Sequence, residues 1–142
     1  MSRWSSQPAP HEPEGLILFD GVCVFCSRWV AFVIAHDPAR RFSFVPIQSA
    51  RGRSLAQRFT IDPEAPETNA VILDGRIWFK SDAALKVLSR LSGTGALGVL
   101  RAAPRWLRDP VYDLTARNRY RIFGRTDACM VPAAEDRARF LT

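Results

Sequence analysis

The chain is poor in cysteine, in lysine and in long apolar stretches, and each shortage excludes something. Three cysteines in 142 residues are too few, and odd in number, for a secreted disulfide scaffold; they point to a reducing compartment. Only Lys80 and Lys86 are lysines, so the formal net charge of +6 rests almost wholly on arginine. The longest apolar run, Trp29 to Ala35, falls far short of the roughly 20 residues of a membrane span. The N-terminal stretch sets Pro8, Pro10 and Pro13 among Ser, Gln and Glu and lacks the apolar core of about 7–15 residues that a secretory signal needs. The chain reads as soluble and cytoplasmic, with residues 1–14 a disordered proline-rich segment. There is no internal repeat.

What is present is enough for one buried core. An apolar fraction of 47% excludes wholesale disorder, and the length suits a single domain. Leu16-Ile17-Leu18-Phe19, ended by Asp20-Gly21, reads as a buried strand running into a turn. From Val22 to Ala35 the apolar spacing changes to three and four (Val22, Cys26, Trp29, Val30, Val33), which predicts a helix, and Asp37-Pro38 stops it. Phe42 to Ile47 reads as a second strand and Ala50 to Phe59 as a short helix. Asn69 to Leu73 and Arg76 to Lys80 flank Asp74-Gly75, the strongest short-range hairpin signal. Ser81 is expected to cap a helix from Asp82 to Leu91. Beyond Gly93-Thr94-Gly95 the chain is helical in character, with a break near Pro104 and a helix from about Val111 to Phe123.

This order predicts an α/β fold: a βαβ-α-ββα core over 15–92 with a four-stranded mixed sheet, and a helical C-terminal extension over 93–142 packed on it. That layout is thioredoxin-like.

The chemistry lies where the first strand meets the first helix, at Asp20-Gly21-Val22-Cys23-Val24-Phe25-Cys26. Two cysteines three apart at a helix start can close a small disulfide ring with little backbone movement. The unpaired amides and partial positive charge of the helix N-terminus stabilise a thiolate. Cys23, nearer the terminus, is expected to be the exposed attacking thiol. Cys26, one turn inside beside Trp29 and Val30, is expected to be the buried resolving thiol. Two other readings stay open. A zinc site uses the same spacing but wants four ligands, and only Cys129, His11 and His36 remain, scattered. The pair could also be inert core cysteines. The strand-to-helix setting favours redox chemistry, with no metal and no cofactor expected.

Asp20-x-x-Cys23-x-x-Cys26 after an apolar strand resembles the signature of the DCC family of thioredoxin-like thiol–disulfide oxidoreductases. Phe44-Val45-Pro46-Ile47-Gln48-Ser49 resembles that family's second strand and its exit. Ser81-Asp82-Ala83-Ala84-Leu85 resembles the start of its third helix. Tyr120-Arg121-Ile122-Phe123-Gly124-Arg125 with Cys129-Met130-Val131-Pro132 is similar to its C-terminal block. The resemblance covers about residues 15 to 132. It implies a protein or small-molecule thiol or disulfide as substrate. Ordinary thioredoxins place a cis-proline before the third strand; this chain has Glu67-Thr68-Asn69 there.

Asp20 has two readings, a carboxylate relaying a proton during exchange or a turn residue. Cys129 reads as a small buried residue, and His36 as a cap on the first helix's last carbonyls. Between Arg101 and Arg125, seven arginines face two aspartates, a local excess of +5. An anionic partner would suit it, but no nucleic-acid motif is present and a solvated helical face is the expectation. The alternative to an oxidoreductase is a non-enzymatic redox-sensing or protein-interaction module using this basic surface.

Overall fold

A computed structural model describes residues 6–9, 12–21, 23–61, 69–91, 102–123 and 134–141. Five strands form one mixed sheet: β1 (Gln7–Pro8), β2 (Leu16–Phe19), β3 (Ser43–Pro46), β4 (Ala70–Leu73) and β5 (Arg76–Phe79), in spatial order β1-β5-β4-β2-β3. β2 runs parallel to β3 and antiparallel to β4, and β4 is antiparallel to β5. Helices α1 (Val24–Ala35), α2 (Ala50–Arg58), α3 (Lys80–Arg90) and α4 (Arg105–Phe123) surround it, and a 3-10 helix spans Ala134–Arg139. Strands β2 to β5 and the first three helices have the expected thioredoxin-like arrangement. No described helix is long and apolar enough to cross a membrane.

The continuous apolar run of β2 is explained by burial on both faces. Leu16 and Leu18 point into a core shared with Leu55, Ala56 and Phe59 on the α2 side. Ile17 and Phe19 point the other way, against Val30 and Val33 of α1 and Ala83 and Val87 of α3. α2 lies so close to the end of β3 that a Cβ on Gly52 would sit 2.0 Å from the Pro46 carbonyl oxygen; only glycine fits there. Asp74 and Gly75 both take positive φ (57° and 74°), the requirement that makes Asp-Gly a tight hairpin.

The structure departs from expectation at three places. The sheet has five strands rather than four, because Gln7–Pro8, inside the segment expected to be disordered, pairs with the open edge of β5. Proline is compatible with such an edge, where one side of the strand needs no donor; Ala9 beyond it is buried. Second, Ser81 does not cap α3. Phe79 holds the N-cap position without a side-chain cap bond, Lys80 takes a left-handed φ of 52°, and the Ser81 hydroxyl turns to Asp109. Third, the helix expected from about Val111 starts earlier, at Arg105 just after the expected break near Pro104, and runs through Pro110. An internal proline costs a helix about 3 kcal/mol, and here the helix is tied to α3 on both sides of it: Arg108 donates to Asp82 Oδ1 at 2.9 Å and Asp113 Oδ1 accepts from Lys80 Nζ at 2.6 Å.

The C-terminal chain returns to the first half of the fold. Arg139 donates to Asp37 Oδ2 at 2.6 Å and to the Phe42 carbonyl at 3.0 Å, and Phe140 bridges to Phe44 at the outer edge of β3.

Candidate functional site

The site forms beyond the C-terminal ends of β2 and β3, where parallel strands leave their helix-forming exits side by side. The chain turns immediately after Phe19. The Asp20 carbonyl accepts the Cys23 amide at 3.2 Å, and the Cys23 carbonyl accepts the Ser27 amide at 2.9 Å to open α1. Cys23 is the N-cap, with extended backbone (φ −88°, ψ 123°). Its Sγ accepts the Cys26 amide at 3.4 Å, the bond that a serine or aspartate cap makes with its hydroxyl or carboxylate. The amide donor and the helix dipole act in favour of negative charge on a sulfur in that position, and burial acts against it. Cys23 and Cys26 therefore lie at the N-cap and third positions of one turn, both as thiols.

Their exposure is the reverse of what the sequence suggested. Cys23 is fully buried, and Cys26 is half-buried. The cap bond turns the Cys23 sulfur back over the helix end, toward the Cys26 amide. Val30, one turn on, is fully buried, while Trp29 is only partly so.

Asp20 is buried at 5% exposure. Gln48, at the exit of β3, donates Nε2 to Asp20 Oδ1 at 2.7 Å and accepts the Gly21 amide on Oε1 at 3.0 Å. One side chain thus fixes both the carboxylate and the turn that leads to Cys23. Gln48 stands in the block over 44–49 that resembles the family, but its role at the site was missed, because its partners lie 27 and 28 residues away.

A second missed contact closes the same end of the sheet. Asn69 precedes Ala70, which pairs with Leu18. Tyr112 of α4 accepts the Asn69 amide at 3.0 Å and donates its hydroxyl to Asn69 Oδ1 at 2.7 Å. The C-terminal extension is thereby joined to the position where a thioredoxin carries its proline; Pro66, Glu67 and Thr68 lie outside the described residues, as do Val22, Cys129 and His11. His36 caps α1, with Nδ1 2.9 Å from the Phe32 carbonyl. Among the described residues no three His, Cys, Asp or Glu side chains cluster as a metal site would require.

Comparison with known proteins agrees with this geometry. The family described as DCC1-like thiol-disulfide oxidoreductase matches residues 17–125. Uncharacterized protein YuxK of Bacillus subtilis (strain 168) is 40% identical over 130 residues, covering 91% of this chain and 95% of its own. The DCC family protein At1g52590, chloroplastic, of Arabidopsis thaliana is 36% identical over 116 residues, 80% of this chain and 67% of that one. No solved structure matches significantly. The extent of the family match and the strength of these relatives show that the chain belongs to the DCC1-like thiol-disulfide oxidoreductase family.

Proposed function

We propose that the protein exchanges two electrons with a dithiol or disulfide substrate through Cys23 and Cys26. The observation that carries this reading is the Cys26 amide donating to Cys23 Sγ at the start of α1, which favours a thiolate on Cys23. That thiolate attacks one sulfur of a substrate disulfide, forming a mixed disulfide and releasing the other substrate sulfur as a thiolate, which takes up a proton. Cys26 loses its proton and attacks Cys23 Sγ, so the substrate leaves as a dithiol and the protein holds a Cys23–Cys26 disulfide. The reverse sequence oxidises a dithiol. Asp20, on the turn that carries Cys23, is the group for the proton given up by Cys26. Because Cys23 is buried, the first turn of α1 must open for the substrate sulfur to reach it.

Equilibration across a thiol–disulfide redox series, with alkylation and mass analysis, tests the pair. The expected result is an intramolecular disulfide between Cys23 and Cys26; its absence at every potential refutes the reading. A Cys26→Ala variant is expected to hold a mixed disulfide on Cys23. Trapping on Cys26 in Cys23→Ala, and not the converse, would exchange the two roles.

The burial of Cys23 also favours a second reading, in which the pair oxidises as a sensor without turning over a substrate. Turnover of oxidised glutathione with dithiothreitol separates the two. A sensor forms the internal disulfide yet leaves that rate at its uncatalysed value.

A further inference from the structure

We infer that the outer face of α4 docks on an anionic lipid surface. Along that face Trp106, Leu107, Val111 and Leu114 are exposed at 74%, 53%, 65% and 59%, and the exposed Pro110 lies among them. At 100° per residue these side chains fall on one side of the helix, and Arg117 and Arg121, both exposed, continue the same side a turn further on. This corrects the expectation of a plain solvated face. The first half is an apolar ridge of a kind that soluble helices normally bury.

The charge on α4 is divided by face. Of its two acids, Asp109 meets the Ser81 hydroxyl, and Asp113, 37% exposed at the edge of the ridge, is paired with the Lys80 ammonium. Arg108 points inward, to Asp82. Among the described residues, the outward face of α4 therefore carries cations and apolar groups, and the one carboxylate at its edge, Asp113, is already paired with Lys80. The apolar ridge occupies the first turns of α4 and the two guanidiniums the turns that follow. Arginine suits the headgroup level, with its stem in the apolar layer and its head on phosphate.

The same charge pattern argues against a second copy of the chain as the occupant, since two such faces would bring four exposed guanidiniums together while each Asp113 is already held by Lys80. A protein partner would need a pocket or groove to fit a convex ridge on a single helix. A bilayer accepts such a ridge without complementary shape.

Sedimentation of the full chain with phosphatidylglycerol vesicles and with phosphatidylcholine vesicles tests this. Binding is expected to the first, weakening as salt rises, and to be far weaker to the second. Leu107→Ser with Leu114→Ser should reduce partition by about tenfold or more. Arg117→Gln with Arg121→Gln should reduce it by about 25-fold, near fivefold for each arginine. All four side chains are exposed, so circular dichroism should show both variants folded, and the arginine pair stands independently of the leucine pair. Absence of binding to phosphatidylglycerol overturns the proposal. So does binding that is equal on both vesicles and indifferent to the arginines. So does concentration-dependent self-association lost in the leucine variant without any vesicle binding.

Discussion

Gln48 donates its amide nitrogen to Asp20 at 2.7 Å while its amide oxygen accepts the Gly21 N–H at 3.0 Å. A single side chain at the exit of β3 thus sets the geometry of the exit of β2. Removing it in Gln48→Ala takes a donor from a buried carboxylate and an acceptor from a backbone amide, which is expected to cost about 1–3 kcal/mol. Gln48→Glu should be worse at neutral pH, because it sets a second carboxylate against the first. Its deficit should shrink as pH falls and one carboxyl gains a proton that restores a donor. Urea unfolding of the three proteins at neutral and mildly acidic pH measures this. Equal deficits for Gln48→Ala and Gln48→Glu at every pH would show that the contact with Asp20 is not what Gln48 provides.

The capping role of Cys23 can be separated from its redox role. Cys23→Ser keeps an acceptor for the Cys26 amide, whereas Cys23→Ala removes it. Stability is expected to be nearly unchanged in the first and lower by about 1 kcal/mol in the second, within the range for loss of an N-cap. Both should lose disulfide exchange alike. Thermal melts of the reduced proteins, alongside the exchange assay, give the two readouts.

What could be read in the chain follows from the range over which each feature is determined. β2, α1 and the Asp74-Gly75 hairpin are set by local patterns: a run of four apolar residues, a spacing of three and four, a turn that needs positive φ. Cys23 and Cys26 were marked by their place between strand and helix. The edge strand Gln7–Pro8 has no pattern of its own; the open edge of β5 recruits it. The helix was expected to begin only at about Val111, after Pro110, because the bonds of Arg108 and Asp113 to α3, which hold the helix together around that proline, come from a distant segment. The roles of Gln48 and Tyr112 were invisible for the same reason. The burial of Cys23 escaped because exposure was inferred from position along the helix, while the sulfur's direction is decided by the amide it caps.

Arg139 and Asp37 form a pair whose side chains are 6% and 2% exposed, 2.6 Å apart. Asp37 also accepts the Arg41 and Phe42 amides, so its charge is held by several donors at once. Arg139→Ala strips the largest of them and leaves a buried carboxylate short of compensation, which is expected to cost about 3–5 kcal/mol. Because Arg139 also holds the Phe42 carbonyl, the Phe140–Phe44 bridge should loosen with it. Hydrogen exchange at the Leu141 amide, which donates to the Phe44 carbonyl at 2.7 Å, should then speed up more than exchange in β4. Uniform acceleration across the sheet would instead indicate that the C-terminal chain unfolds only with the whole domain.

The hairpin turn supplies a pH-dependent contact remote from the cysteines. The Lys86 ammonium, hydrogen-bonded to Asp74 Oδ2 at 3.0 Å, and the Arg90 guanidinium at 2.9 Å hold the Asp74 carboxyl below its ordinary value of 3.8, against the opposing effect of desolvation. A carboxyl lowered in the folded state stabilises the fold above its unfolded-state pKa, and that contribution is lost as pH falls through the lower folded-state value. Asp74 is largely exposed, so solvent screening limits the effect to a few tenths of a kcal/mol. Asp74→Asn keeps a residue that tolerates positive φ and removes only the charge. Its stability deficit should be present at neutral pH, vanish in strong acid, and shrink at high salt. Unfolding midpoints of wild type and variant, compared across acidic to neutral pH, test the sign: a deficit that grows toward low pH would mean the carboxylate is not stabilised by its two cations.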